Sequence, residues 1–383
     1  MQKKKLKMRN FSFKQIGYRP TWAEVDLSAL EYNFKQIKQR LAAQTKVLVC
    51  VKSDAYGHGI VPVSQKLVSL GVDYLGVASI DEGIVLRKAG MRIPILVLGM
   101  VLTCDIQPIF KYNLTQTVCS EELAVALNKM AKDAKKRVNI HIKIDTGMGR
   151  LGVLYKDAFS FIKKIKRLAF LNLEGLYTHF PCADINSSFT KEQIKIFDEL
   201  IARLRADDIN IPLCHAANSM GVIGYKKGHF NLVRPGLIIY GLYPRRNINL
   251  KLKPVMSLKT RVIYLKRVPA GWGISYGHTY RTRKNTTVVT LPIGYGDGYP
   301  RNLSDKAQVL IGKKRLRISG RICMDQILVD VAEVPVKIGD EVILIGSDGV
   351  NKITAEELAH QAGTIPYEIV CGIGSRVPRI YKE

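Results

Sequence analysis

Short runs of β-branched and aliphatic residues recur between residues 46 and 240, separated by stretches in which apolar positions fall three and four apart. KVLVCV, YLGVAS, IPILVLG, LTQTVCS, VNIHIKID, LEGLYTH, IPLCHAANS and LVRPGLIIYG read as eight strands. In TKEQIKIFDELIARL, Ile194, Phe197, Ile201 and Leu204 make one apolar stripe on an otherwise charged helix. The strands are too apolar to present a wet face. Eight buried parallel strands with crossover helices, in about 200 residues, predict an α/β fold of the (β/α)8 TIM-type barrel class.

The texture changes after Pro254. LKTRVIYLKRV, TTVVTLPIGYG, AQVLIGKKRLRI and DQILVDVAEV alternate apolar and polar positions between glycine-containing turns, and TAEELAHQAG is the one clear helix. This predicts a mostly antiparallel β domain after the barrel. The expected division is a basic extension over residues 1–20, a barrel over 21–254 and a β domain over 255–383. TWAEVD has the character of an extra strand for the second domain, and SALEYNFKQIKQRL that of a helix.

Composition narrows the class. A chain of 383 residues with 47% hydrophobic content can bury one large core and a second, smaller one. No apolar run approaches the roughly 18 residues of a spanning helix, and FSFKQIGYRP after the basic start lacks a signal-peptide core, so a cytoplasmic protein with no membrane partner is expected. Seven cysteines without CxxC spacing, Cys50 and Cys119 among them, predict reduced, mostly buried thiols rather than disulfides or a zinc site. No metal is expected. The net charge of +27 raises nucleic acid as a partner. The charges instead spread along helix faces, as at Lys35, Lys38, Lys132, Lys135, Lys136, Lys163, Lys164 and Lys166, with no helix-turn-helix, zinc-finger or RNA-recognition pattern.

In a barrel of this kind the reactive groups come from the C-terminal ends of the strands. VCVKSDAYGHG ends the first strand on Lys52, with Tyr56 four residues on. KIDTGMGRLG delivers Lys143, Asp145 and Arg150, THF delivers His179, HAANS delivers His215, Asn218 and Ser219, and VRPG delivers Arg234 and Gly236. The loops after strands seven and eight form the usual phosphate cradle, which places it at Ser219 and at Gly236 with Leu237. Tyr56 could reach the same phosphate. A phosphate anchor opposite a lysine at a strand end suggests pyridoxal 5'-phosphate, whose aldehyde needs a deprotonated amine.

VKSDAYGHG, KIDTGMGRLG, THF, HAANS, VRPG, ISYG, GYGDGY and CMDQ, in this order over roughly residues 20 to 380, resemble the signatures of bacterial alanine racemases. The resemblance implies that Lys52 forms an internal aldimine with pyridoxal phosphate, and that Tyr56, Ser219, Gly236, Leu237 and Tyr367 hold the phosphate, with Asn218 beside them in the cofactor set. It implies that His179 lies against the ring, Arg234 bonds the pyridine nitrogen and is steadied by His215, and Arg150 contacts the phenolic oxygen and the substrate carboxylate. Lys143 matches a position that is often carbamylated and orients Arg150.

Racemisation needs acid–base groups on both faces of Cα. The resemblance supplies the second as Tyr276 of GWGISYGHTY, entering the barrel of a partner subunit in a homodimer with shared sites. Met324, Asp325, Arg301 and Arg321 would line that entrance. The implied reaction interconverts L-alanine and D-alanine, supplying D-alanine for peptidoglycan. Asp54 stands where asparagine is frequent, and Pro181 and Cys182 precede Asp184, which leaves entrance shape and side-chain size open. Serine or broad-specificity racemisation, a pyridoxal-phosphate decarboxylase and a single-barrel cofactor carrier are the competing readings. Arg234 argues against decarboxylation, which favours an acidic partner at the ring nitrogen.

Overall fold

The computed structural model describes residues 18–245 and 247–383. Residues 1–17, which make up most of the expected basic extension, lie outside the described residues, as does Arg246. The chain divides into two compact units, one spanning Leu27–Val255 and the other joining the described residues up to Asp26 to Met256–Glu383.

In the first unit, all eight expected strands form: Lys46–Cys50, Tyr74–Val77, Ile95–Val97, Thr115–Val118, Val138–Asp145, Leu171–Tyr177, Leu213–His215 and Leu232–Val233. Each pairs in parallel with the next, and Leu232–Val233 returns to pair with Lys46–Val47, closing the barrel. Closure leaves no open edge. The intervening helices start where the sequence provides caps: Ser79, Ser120 and Asn186 each accept a hydrogen bond from a backbone N–H in the first turn that follows. The helix Ser187–Ala206 buries Ile194, Phe197, Ile201 and Leu204, the stripe read from its spacing. Burying such a stripe contributes about 1.5–3 kcal/mol per large side chain, which fixes the helix against the barrel.

The barrel interior is less apolar than its sequence suggests. Thr117, His141, Lys143 and His215 are all buried there. Lys143 and His141 stand two residues apart on Val138–Asp145, and therefore point to the same side of the strand.

In the second unit, a seven-stranded sheet runs in the order Lys314–Arg317, Gln308–Ile311, Glu341–Ser347, Met256–Arg261, Thr21–Asp26 and Arg379–Lys382, with Lys352–Ile353 added beside Glu341–Ser347. Its pairings are antiparallel except that of Thr21–Asp26 with Arg379–Lys382. A three-stranded sheet, Tyr264–Val268, Thr286–Leu291 and Ile327–Ala332, and a small hairpin of Gly273–Ile274 with Tyr280–Arg281 complete the strands. The helix read in TAEELAHQAG spans Ala355–Ala362, capped by Thr354 and ended by left-handed Gly363.

The boundary expected at residue 21 is corrected: Thr21–Asp26 belongs to the β unit, and the barrel unit begins at Leu27. The cause is non-local. Thr21 and Ala23 face Thr260 and Leu258 across one edge, while Ala23–Asp26 pair with the last strand of the chain along the other. The cysteine expectation is also corrected in part. All seven thiols are free, but only Cys50 and Cys214 are fully buried, and Cys104 is exposed.

Candidate active site

The chain leaves the first barrel strand through a left-handed turn. Ser53, Asp54, Ala55 and Tyr56 have φ between 53° and 55°, which costs non-glycine residues roughly 1–2 kcal/mol each. Local bonds hold the turn: Asp54 Oδ1 accepts from the Ile60 N–H at 2.7 Å, Glu82 Oε1 accepts from the Ser53 N–H at 2.5 Å, and the Gly59 N–H donates to the Asp54 carbonyl at 2.9 Å. Aspartate tolerates this conformation better than most residues, as asparagine does, so the exchange at position 54 keeps the turn. The result is Lys52 at the strand end and Tyr56 buried one turn later.

Opposite Tyr56 lies Gly236. A β-carbon there would come within 2.5 Å of Tyr56 Oη, so only glycine allows this approach. Ser219 Oγ accepts from the Gly236 N–H at 3.1 Å, which leaves the hydroxyl proton free to donate elsewhere. Asn218 caps the short helix that begins with Ser219, its Oδ1 accepting from the Gly221 N–H at 3.0 Å, while its amide donates to the Phe180 carbonyl. Leu237 is fully buried beside them in sequence.

Arg234 is buried, and its partners are neutral. Nη1 meets His215 Nδ1 at 2.7 Å, and Nη2 donates to the carbonyls of Thr178 and Ala216 at 2.6 and 3.0 Å and approaches His179 Nδ1 at 3.4 Å. The His215 ring stacks on Tyr177 with a centroid separation of 4.7 Å. Burial, reinforced by the positive charges of Arg234, Lys143, Arg150 and Lys52, drives the His179 imidazole well below its usual range. Those four cations therefore act on one ring.

Lys143 is buried, with Nζ 5.6 Å from the Tyr177 ring centroid. Burial, then the charges of Arg150 and Arg234, push its ammonium down from 10.5 to about 8. Asp145 does not neutralise the site in the obvious way. Its carboxylate closes the DTGMG loop, accepting from the N–H groups of Gly147, Met148 and Gly149, and so delivers Arg150 to an exposed position at the loop's end.

The lowered ammonium has a signed consequence for stability. Below about pH 8 the cost of burying the charge is fully present; between about 8 and 10.5 the folded chain has released a proton that the unfolded chain retains, so stability rises with pH. In carbonate-free buffer, chemical denaturation should show a gain on the order of 3 kcal/mol across that window, absent from Lys143→Met. Parallel pH curves for the two proteins would contradict the assignment.

The remaining expected residues lie in the β unit. Tyr276 occupies the tip of the hairpin, 69% exposed, between Ser275 at φ 60° and Gly277 at φ 68°. It lines an open cavity of about 660 Å³ with His278, Cys323, Met324, Asp325 and Gln326. Met324 is 53% exposed. Asp325 is held by Arg376 Nη2 at 2.7 Å, and its carbonyl accepts from Arg19 Nη2 at 2.8 Å. Arg321 supports the hairpin, its carbonyl accepting from Ser275 Oγ at 2.5 Å. Arg301 opens a short turn, Arg301–Leu303, and Tyr367 sits in the helix Pro366–Cys371, a second helix that the alternating pattern did not reveal.

Residues 25–244 match the family model described as the N-terminal domain of alanine racemase, and residues 255–381 the one described as its C-terminal domain. The chain belongs to the alanine racemase family. An alanine racemase of Halothermothrix orenii is 50% identical over 369 residues, covering 95% of this chain and 97% of that one. One of Carboxydothermus hydrogenoformans is 45% identical over 368 residues, covering 95% and 100%. Among solved structures, the alanine racemase of Clostridium difficile 630 superposes with a TM-score of 0.91 at 39% identity, covering 96% of each chain. That of Bacillus anthracis, solved with bound L-Ala-P, gives 0.90 at 38% identity, again covering 96% of each.

The chain is thus an isomerase, an alanine racemase by family, and the decarboxylase reading falls away. Among the described residues, no helix is long and apolar enough to cross a membrane. The motifs do not reveal the buried side chains behind Arg234. His141 Nδ1 meets His215 Nε2 at 2.8 Å, and His141 Nε2 meets Glu174 Oε2 at 3.2 Å. The available signal was the alternation of Asn139, His141 and Lys143 along one strand, which puts polar groups repeatedly on one side of it.

Proposed function

We propose that the chain holds pyridoxal 5'-phosphate at the mouth of its barrel and racemises alanine with two proton-transfer groups, Lys52 on one face of Cα and Tyr276 on the other. The observation that carries this reading is that the charges of Lys52, Lys143, Arg150 and Arg234 all act on His179, while among the described residues no carboxylate is a hydrogen-bond partner of Arg234. A partly desolvated cluster of cations calls for an anionic occupant. The residues fit a phosphate group as well: Ser219 has a hydroxyl proton to give, and the missing β-carbon of Gly236 keeps space open beside the Tyr56 hydroxyl.

When bound, the cofactor supplies an electron sink that makes the substrate Cα proton acidic. The chain does the rest. Tyr56, Asn218, Ser219, Gly236, Leu237 and Tyr367 hold the phosphate, and His179, kept neutral, packs against the ring. Arg234 faces the ring nitrogen. A guanidinium does not surrender its proton at accessible pH, so that nitrogen stays unprotonated and the sink is moderate, which suits brief reprotonation better than loss of CO2. Arg150 binds the substrate carboxylate. Lys143 orients Arg150, and its neutral fraction is the amine available for carbamylation.

Tyr276 supports a shared site. A tyrosine left largely bare on a strained hairpin tip is a poor structural choice and a reasonable one for a group offered to a second copy of the chain. Met324, Asp325, Arg301 and Arg321 would line the entrance it completes in a homodimer. L-alanine and D-alanine are the proposed partners of this site, D-alanine being made in the cytoplasm for peptidoglycan. Serine is the second reading of the substrate, because one hydroxyl changes binding in such a pocket by only about 1–3 kcal/mol.

Mixing Lys52→Ala chains with Tyr276→Phe chains tests the reading. Random exchange should restore about a quarter of the wild-type activity, since half the dimers are mixed and each has one intact site. No recovery despite proven exchange would count against sharing. Gly236→Ala should weaken pyridoxal-phosphate binding at least about tenfold, near 1.4 kcal/mol, in a titration of cofactor-free protein. Undiminished affinity would remove Gly236 from the cradle.

A further inference from the structure

We propose that Glu174 is a positioning residue for Arg234, acting through His141 and His215 as a hydrogen-bonded relay whose proton positions are fixed. The inference rests on the reading above that Arg234 faces the cofactor ring.

The direction of every bond follows from one donor. A guanidinium can only donate, so the 2.7 Å contact with Arg234 makes His215 Nδ1 an acceptor and puts the His215 proton on Nε2. That proton points at His141 Nδ1, 2.8 Å away, which must then accept. The His141 proton therefore sits on Nε2, directed at Glu174 Oε2 at 3.2 Å. A carboxylate is the natural end of such a chain because it only accepts.

Both imidazoles are fully buried and Glu174 nearly so, with 16% of its side chain exposed. Burial keeps both rings in the neutral form that the relay requires, its effect at His141 exceeding the opposing pull of Glu174. Burial alone would raise the Glu174 carboxyl, but hydrogen bonds from His141, Tyr74 and Thr115 outweigh it and hold the group below its ordinary value. Tyr74 Oη and Asn139 Nδ2 both donate to Glu174 Oε1, at 3.2 and 3.1 Å.

This answers a charge question the site leaves open. Arg234 is a buried cation that hydrogen-bonds no carboxylate among the described residues, and the relay gives it one across two neutral rings. Chains of hydrogen bonds polarise one another in a low dielectric, so loss of the terminal charge is felt at the guanidinium. Gly175 belongs to the same device. A β-carbon there would lie 2.4 Å from His141 Nδ1, the atom that accepts within the relay.

Two measurements decide the matter. In reconstituted enzyme labelled with 15N-histidine, a small set of seven residues, long-range nitrogen–proton correlations should show His141 and His215 as neutral rings protonated on Nε2. His141 protonated on Nδ1 would overturn the relay, and this readout needs neither turnover nor a stable variant.

Glu174→Gln, which keeps the shape and one acceptor oxygen, should lower kcat by about tenfold to a hundredfold, with KM changed by less than about twofold. Gly175→Ala should do the same from the other side. Combined with Arg234→Lys, Glu174→Gln should cost little more than Arg234→Lys alone, although side chains this far apart are otherwise additive. Losses that multiply would overturn the proposal while leaving the racemase reading intact; that reading stands or falls separately, on cofactor binding and turnover by the unaltered chain.

Discussion

Lys52→Ala is expected to lower racemisation by at least about 10⁴-fold, because under the proposed function it removes both the group that ties the cofactor down and one of the two proton carriers. Little of the fold depends on the side chain. The turn that follows is held by the Asp54 and Glu82 carboxylates and by the Ala55 N–H on the Val51 carbonyl, none of which involves the Lys52 ammonium. Thermal stability should therefore change by no more than about 1 kcal/mol. Lys52→Arg separates charge from chemistry: it retains a positive charge of the kind that acts on His179 but has no neutral amine to offer, so it should be as inactive as alanine. Chiral chromatography of alanine checks both, and an active Lys52→Arg would refute the assignment.

Tyr276→Phe is expected to cost racemisation about 10²–10⁴-fold while the aromatic ring and its surroundings are retained. The pattern matters more than the size. L-alanine and D-alanine are mirror images, so their equilibrium constant is one and both directions of racemisation must fall by the same factor in kcat/KM. Exchange with solvent is under no such constraint. With Lys52 still present, one enantiomer should take up deuterium at Cα from heavy water far faster than it inverts, and the other should not. Equal loss of exchange in both enantiomers would mean that Tyr276 supports the site instead of carrying a proton.

Much of the architecture is legible because burial leaves a direct imprint on residue choice. The eight barrel strands announce themselves as apolar runs, and several groups at their ends meet, Arg234 with His215 and His179, and Gly236 with Ser219 and Tyr56. What stayed hidden depends on distant or internal partners. Thr21–Asp26 reads as a stray strand because the two it pairs with begin at Met256 and Arg379. The left-handed course of Ser53–Tyr56 is invisible in a stretch whose residues, glycines aside, prefer right-handed backbone.

The hydrogen-bonded side chains behind Arg234 were hidden for a different reason. His141 and Glu174 sit mid-strand among apolar neighbours, where a histidine is ordinarily a satisfied core residue, and only the parallel pairing of the fifth, sixth and seventh barrel strands brings them into line with His215. Tyr276 shows the reverse case. Its motif is plain in ISYG, yet what distinguishes it physically, an exposed ring between two residues of positive φ, emerges only with the backbone.

The central claim is that this chain, loaded with its cofactor, moves a proton between the two faces of alanine. The most direct measurement supplies purified protein with pyridoxal phosphate and enantiopure L-alanine, then follows the enantiomers by chiral chromatography. The account predicts an approach to equal amounts of L- and D-alanine, and a yellow chromophore that borohydride abolishes together with the activity. A colourless protein that leaves L-alanine entirely in its original handedness would contradict it.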